Sequence, residues 1–161
     1  MLFVEQADDN VTAATHPIIG DIQCSSTVEG KITNEGSSTT TVEGSVSALT
    51  FTSCTNGATV HTLKPGTLVV HTGTNQTSEG TVTSVGAQVT VEAFGFHCIF
   101  ATGTGVDIGL LTSSEKTGSN ATFDIEATIP RTEGRSGAFC GSSAQWTGQY
   151  KITKPNPLNI H

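Results

Sequence analysis

The sequence has few charged side chains, and basic ones are the rarest. Only 13% of its 161 residues are charged, about half the proportion of an ordinary soluble domain. Lys and Arg together number 7, against 14 Asp and Glu, which gives a net charge of -7. Nucleic acids and anionic membrane surfaces attract basic proteins, so this balance argues against either as a partner. Hydroxyl side chains take the place of charges, with 28 Thr and 15 Ser in the chain.

Long hydrophobic runs are missing as well. No apolar stretch approaches the roughly 18 residues of a membrane-spanning helix, so we predict no transmembrane segment. Residues 2–4 are too few for the apolar region of a signal peptide, and no basic region precedes them. We therefore expect either a cytoplasmic protein or a mature chain from which the signal has been removed. Leu, Ile, Val and Phe still total 37 residues, enough for the core of one domain, which we place at 22–161 after a distinct segment at 1–21.

The four cysteines form no CxxC pair and have no His at zinc-finger spacing, which argues against a zinc site. An even number of cysteines in a chain rich in Thr and Gly and poor in Lys is typical of disulfides formed in an oxidising compartment. Of the three possible pairings we favour Cys24–Cys54, between neighbouring strands, and Cys98–Cys140, between the middle of the chain and its last third. This interpretation predicts an extracellular or cell-surface protein. The alternative is four buried free thiols.

Helical periodicity is nearly absent, and the two-residue alternation of β-strands dominates. Apolar and polar residues alternate from Ala121 to Ile129, where Pro130 ends the pattern, and alternate again over 146–152. Gly-, Asn- and Pro-containing turns separate further segments rich in Thr and Val. This spacing predicts an all-β fold: an antiparallel two-sheet β-sandwich or jelly roll of about nine to ten strands, stapled by disulfides.

Three turns in the middle of the chain refine this expectation. Lys64-Pro65-Gly66 predicts a hairpin whose two strands carry His61 and His71. Residues 84–86 can split the segment 80–93 into two strands. The apolar pattern changes phase around 93–95, which predicts a bulge or corner there.

Residues 1–21 lack sustained alternation and admit two interpretations. They can be a flexible leader, or they can donate a strand to the sheet edge of a neighbouring subunit. The candidate donor residues are Leu2, Phe3 and Val4, or Pro17, Ile18 and Ile19.

Five stretches have a sequence pattern seen in other proteins; they are residues 45–54, 63–68, 96–100, 127–131 and 144–148. Together they resemble a widespread group of small secreted bacterial β-rich proteins with no established activity. The resemblance covers roughly 24–153 and consists of strand and turn patterns. It implies export and a β-rich fold, and it transfers no site residue.

Few residues form patterns that indicate chemistry. His61 and His71 are two potential metal ligands without a third, and Asp107 ends a single, incomplete match to a calcium-binding repeat. Asp124 and Glu126 share a strand face about 6.5–7 Å apart, which overlaps the carboxylate spacing of inverting glycosidases, but alternating charges on a solvent face are ordinary. We therefore predict no metal, no cofactor and no catalytic set.

The aromatic residues bear on the two functions that remain. Our leading hypothesis is a secreted or cell-surface, non-enzymatic structural protein that self-associates or binds a matrix partner, as the subunit of an extracellular polymer built with an N-terminal donor strand. The alternative is a carbohydrate-binding module in which Trp146 and Tyr150 form the glycan platform. Both rings share a face with Ile152, however, and that face is the expected core.

Overall fold

The computed structural model describes residues 2–7, 11–16, 20–33, 41–72, 78–132, 140–155 and 157–158; for residues 2–7, 11–16, Gly20 and Thr72 it describes only the backbone. Within these ranges the fold is all-β, as predicted. The strands are β1 (Leu2–Ala7), β2 (Val11–His16), β3 (Gly20–Ile32), β4 (Val42–Thr52), β5 (Thr59–Lys64), β6 (Thr67–Thr72), β7 (Glu79–Val85), β8 (Gln88–Ala93), β9 (Phe96–Ala101), β10 (Val106–Thr112), β11 (Thr122–Pro130) and β12 (Ser143–Lys154). The helix α1 (Ser114–Thr117) has one turn, and no helix in the described ranges is long and apolar enough to cross a membrane.

The strands form two antiparallel sheets, which confirms the predicted two-sheet arrangement. The larger sheet has the order β1-β12-β11-β10-β7-β6-β4-β3-β2, and the smaller has the order β5-β8-β9. In the larger sheet β1 also pairs with β3, and β2 also pairs with β12. The larger sheet therefore closes on itself through its first two strands.

Apolar side chains of both sheets pack into one core. Burial on β11 alternates with the sequence, so that the apolar residues from Phe123 to Ile129 face inward and the polar ones face solvent. The smaller sheet contributes Val60, Val91 and Phe100 to the same buried cluster. The smaller sheet thus covers part of the larger one, and the layer between them is apolar.

Both predicted disulfides are present. Cys24 on β3 is bonded to Cys54, two residues after β4, which is the strand that pairs with β3. Cys98 on β9 is bonded to Cys140, three residues before β12. The second bond therefore links the smaller sheet to the segment that enters the larger one.

The expected hairpin around Lys64-Pro65-Gly66 is wrong. His61 on β5 pairs with Thr90 in the smaller sheet, whereas His71 on β6 pairs with Thr81 in the larger sheet. The turn carries the chain from one sheet to the other, because Gly66 has a positive φ of 71° and lies against the backbone of residues 85–87. A Pro-Gly turn has the same sequence whether it connects two strands that pair with each other or two strands that lie in different sheets.

The structure has a turn at each of the two other positions that the sequence singled out, near residues 84–86 and around 93–95. A break does separate β7 from β8, at Gly86 and Ala87. The phase change around 93–95 is a two-residue hairpin turn between β8 and β9, in which Phe94 has a φ of 50° and Gly95 a φ of 80°. Positive φ at both central residues is the geometry that matches the right-handed twist of the strands.

Gly109 allows a close approach between β10 and β11. A Cβ atom at this position would overlap the carbonyl oxygen of Asp124, a backbone atom that neighbouring pairs hold in place. We expect Gly109→Ala to lower the free energy of unfolding by about 1–3 kcal/mol, since the strands must separate to admit the methyl group. Urea unfolding measures the change, with the exposed Glu126→Ala on β11 as the control. An effect of Gly109→Ala as small as that of the control would contradict the expectation.

Candidate functional site

The first two strands occupy the space between β3 and β12. β1 runs antiparallel to both, with Val4 opposite Lys154 of β12 and Ala7 opposite Tyr150. On its other side Leu2 is opposite Lys31 of β3, and the pairing continues to Gln6. Both edges of β1 are therefore hydrogen-bonded.

β2 continues along the same two neighbours. Thr12 is opposite Thr147 of β12, and on the other side it is opposite Gln23 of β3. Partner numbers fall along both neighbours as the chain advances from β1 to β2, so the two strands follow one path across the sheet. The strands β1 and β2 thus join β3 to β12 and close the larger sheet.

This arrangement corrects the flexible-leader interpretation of residues 1–21 for the part that is described. Residues 2–7 and 11–16 pair with strands of their own chain, and the predicted donor residues Leu2, Phe3 and Val4 lie on β1. Pro17, Ile18 and Ile19 lie outside the described residues. Sequence alternation did not reveal β2 because its register shifts between Thr12 and Ala14, where β2 has one residue more than β3. On β1 the apolar residues Leu2, Phe3 and Val4 are consecutive and do not alternate with polar ones.

Tyr150 lies in the core, as the favoured sequence interpretation predicts. It is 0% exposed, and its hydroxyl donates a hydrogen bond of 2.7 Å to Ser26 Oγ. Its ring centroid is 6.1 Å from that of Phe123 and 6.5 Å from that of Trp146. A ring buried in this way offers no face to a glycan, so the proposed platform loses one of its two residues.

Trp146 differs from Tyr150 because it is only partly buried. Its ring packs edge-on against Phe51 at 6.1 Å, and its Nε1 atom is buried without a hydrogen-bond acceptor among the described residues. Trp146 lines a cavity of about 30 Å³ between the two sheets. The other main wall residues are Leu49, Val60, Val89, Phe100 and Ile129.

The remaining candidates do not come together. The structure places His61 and His71 in different sheets, and no group of three or more potential metal ligands occurs in the described part of the chain. Asp107 accepts a hydrogen bond from Thr83 across the β7–β10 pair. Asp124 and Glu126 are both exposed on β11, away from the cavity, and Asp124 accepts a hydrogen bond of 2.6 Å from Gln149.

Sequence reasoning missed the cavity itself. Its walls come from strands that are far apart in the chain, and each contributes an apolar residue that alternation correctly assigns to the core. A core residue and a cavity wall have the same pattern in sequence. The only signal was Trp146, whose polar Nε1 atom needs an acceptor when it is buried.

Comparison of the chain with protein-family models, curated proteins and solved structures finds no match.

Proposed function

We propose that this protein is a secreted or cell-surface structural protein without enzymatic activity, and that it assembles by strand exchange. In the assembly, residues 2–16 of one copy lie between β3 and β12 of another copy. The observation that carries the proposal is the double pairing of β1 and β2, each of which is hydrogen-bonded to β3 on one side and to β12 on the other.

The edges of β3 and β12 supply the driving force. β3 has 13 residues and β12 has 12, and unpaired edges of such length are templates for pairing with another chain. The backbone bonds to β1 and β2 are the same whether these strands come from the same copy or from a second one. Exchange of an identical element between copies is consequently a low-cost route to assembly.

The connection between β2 and β3 decides between the two arrangements. Only residues 17–19 separate His16 from Gly20. If this connection turns back, β2 pairs with β3 of its own copy; if it extends, β2 reaches a different copy.

The composition and the disulfides support the proposed location. All four cysteines are paired, and no free cysteine occurs in the described residues. Stable disulfides are typical of oxidising compartments outside the cytoplasm. The low proportion of charged residues and the Thr-rich strands suit a structural role better than nucleic-acid or membrane-surface binding.

A disulfide trap tests the exchange directly. Thr12 and Gln23 are directly opposite each other on β2 and β3, at a separation typical of positions that a disulfide can bridge. The double variant Thr12→Cys with Gln23→Cys is purified reduced at these positions, allowed to assemble, and then oxidised. We expect covalent dimers or a ladder of larger species on a non-reducing gel, and a mass by light scattering above the 16.6 kDa of one chain.

The control places the same bond between two strands that exchange does not separate. Thr27 on β3 is opposite Thr50 on β4, so Thr27→Cys with Thr50→Cys forms a bond within one copy in either arrangement. The control must therefore remain a covalent monomer. If the β2–β3 trap also yields only covalent monomers of normal mass, residues 2–16 stay in their own copy and the proposal is overturned.

A further inference from the structure

We propose that the strand exchange is reciprocal, so that two copies of this chain form a closed dimer with two-fold symmetry and no open polymer grows. This dimer depends on the strand exchange proposed as the function, and it specifies the partner of each copy. The copy that donates residues 2–16 to a neighbour also receives residues 2–16 from that neighbour.

The hairpin of β2 and β3 is centred on position 18. His16 is opposite Gly20 and Ala14 is opposite Ile22, so the two members of each pair are equally far from that position. If the connection between the strands extends, β2 runs straight into β3 as one strand. Two such strands, related by a two-fold axis at position 18, pair in the register that the structure already has. Each β2 then finds its partners on β3 of the other copy, and no new register is needed.

The same register determines where the next copy lies. A donated strand leads from its host back to its own copy, and the host's extended strand leaves along the same ladder in the same direction. Four steps of about 3.3 Å separate His16 from Gly20 on one extended strand, which gives about 13 Å. A domain of this length has a radius of gyration of about 15 Å, so two further copies cannot both lie at that distance from the host. The donor to the host and the acceptor of the host's strand are therefore the same copy.

Mass action favours the closed pair as well. After the first exchange, the second one takes place within the same pair of copies, at an effective concentration on the order of 1 mM for a short connection. A third copy present at about 10 μM is therefore about a hundredfold less competitive. The closed pair also leaves no edge of β3 or β12 vacant in either copy, whereas an open chain has vacant edges at one end.

The sequence of the connection favours the extended form. Residues 17–19 lie outside the described residues, and their sequence is Pro-Ile-Ile. A three-residue hairpin connection often ends in a residue with positive φ, a conformation that suits Gly or Asn and strains a β-branched residue such as Ile19. Isoleucine is a strong strand former, so an extended connection agrees with the preference of both isoleucines.

Charge does not oppose the symmetric pairing. Asp21 is exposed, and it is the only Asp, Glu, Lys or Arg residue between positions 11 and 28. In the dimer it lies opposite Thr15 of the other copy, six residues from the Asp21 of that copy, or about 20 Å along the strand. This distance is about two Debye lengths at physiological salt, so the repulsion between the two carboxylates is screened.

The covalent trap between β2 and β3 distinguishes a closed pair from an open chain. In a closed pair, the variant Thr12→Cys with Gln23→Cys forms two bonds between the same two copies, so a non-reducing denaturing gel should show the dimer as its largest species. Before oxidation, light scattering should give about 33 kDa, twice the 16.6 kDa of one chain, at every concentration tested. A mass that grows with concentration, with a ladder above the dimer, would overturn the closed pair and leave strand exchange standing. Monomers alone would overturn both.

NMR of the full chain labelled with ¹⁵N tests the symmetry. A closed pair should give one set of backbone signals, because both copies have the same surroundings. Two sets of signals from a species with the mass of two chains would show an open pair, with one donor and one acceptor, and would overturn the proposal. The control variant Thr27→Cys with Thr50→Cys should have the mass of two chains in solution and run as single chains on the denaturing gel.

Two variants of one residue test the extended connection. Ile19→Gly removes the strain of a connection that turns back, and it should raise the dissociation constant of the dimer about 100-fold, tenfold for each copy. Ile19→Val keeps the β-branched side chain and should leave the dissociation constant unchanged. Light scattering over a dilution series measures both. A dimer as tight in Ile19→Gly as in Ile19→Val would contradict the extended connection on which the two-fold pairing depends.

Discussion

Replacing Tyr150 with alanine is expected to lower the free energy of unfolding by about 3–5 kcal/mol, the range for large aromatic side chains removed from a core. Tyr150 is fully buried, packs against Phe123 and Trp146, and lies on β12 opposite Ala7 of the closing strand. Its loss leaves a void at the place where the sheet closes. Urea unfolding followed by circular dichroism measures the change as a lower midpoint with an unchanged slope.

A double-mutant cycle separates the hydroxyl group of Tyr150 from its ring. Tyr150→Phe keeps the ring and removes the donor to Ser26, which should cost about 1–2 kcal/mol because Ser26 is itself buried. Ser26→Ala should have a similar effect, and the double variant should cost clearly less than the two single changes together. Additive single effects would show that this hydrogen bond contributes nothing, and a cost below about 1 kcal/mol for Tyr150→Ala would contradict its place in the core.

The parts of the fold that sequence alone could predict are those where one strand buries one face. β11 is the clearest example, because alternation from Ala121 to Ile129 matches the burial of each residue. The Cys24–Cys54 pairing was also predictable, since this bond joins β3 to the residues just after β4, the next strand along the chain. In these cases the local pattern and the packing carry the same information.

The division of the strands between two sheets could not be predicted in this way. The turn at residues 64–66 has the sequence of a hairpin, yet β5 and β6 lie in different sheets and Gly66 packs against the backbone of residues 85–87. His61 and His71 are separated for the same reason. A local turn signal does not contain this contact, which joins positions about twenty residues apart.

The candidate sites were missed for two different physical reasons. β1 begins with three consecutive apolar residues and β2 has an extra residue between Thr12 and Ala14, so both resemble an irregular leader in sequence although both of their edges are paired. The cavity is invisible because its wall residues are ordinary core residues until their side chains leave a space beside Trp146. Backbone pairing and packing defects are properties of the assembled fold.

Removing the disulfide between Cys98 and Cys140 is expected to lower the free energy of unfolding by about 4 kcal/mol. Chain-entropy arguments give this value for a loop of 42 residues, and at about 2–4 °C for each kcal/mol the melting temperature should fall by roughly 8–16 °C. The double change to alanine is preferable, because both cysteines are almost fully buried and serine would add a hydroxyl group to the core. Scanning calorimetry of the oxidised variant measures the effect.

Removal of the Cys24–Cys54 bond is the matched comparison, because its separation of 30 residues predicts nearly the same loss of chain entropy. The two bonds differ in what they join. Cys24–Cys54 links β3 to the residues just after its neighbour β4, whereas Cys98–Cys140 links the smaller sheet to the segment before β12. If the smaller sheet depends on that link to stay packed, only the Cys98→Ala with Cys140→Ala variant should lose two-state behaviour, with a calorimetric enthalpy that departs from the van't Hoff value. Equal, two-state losses in both variants would show that the apolar layer between the sheets holds them together without the disulfide.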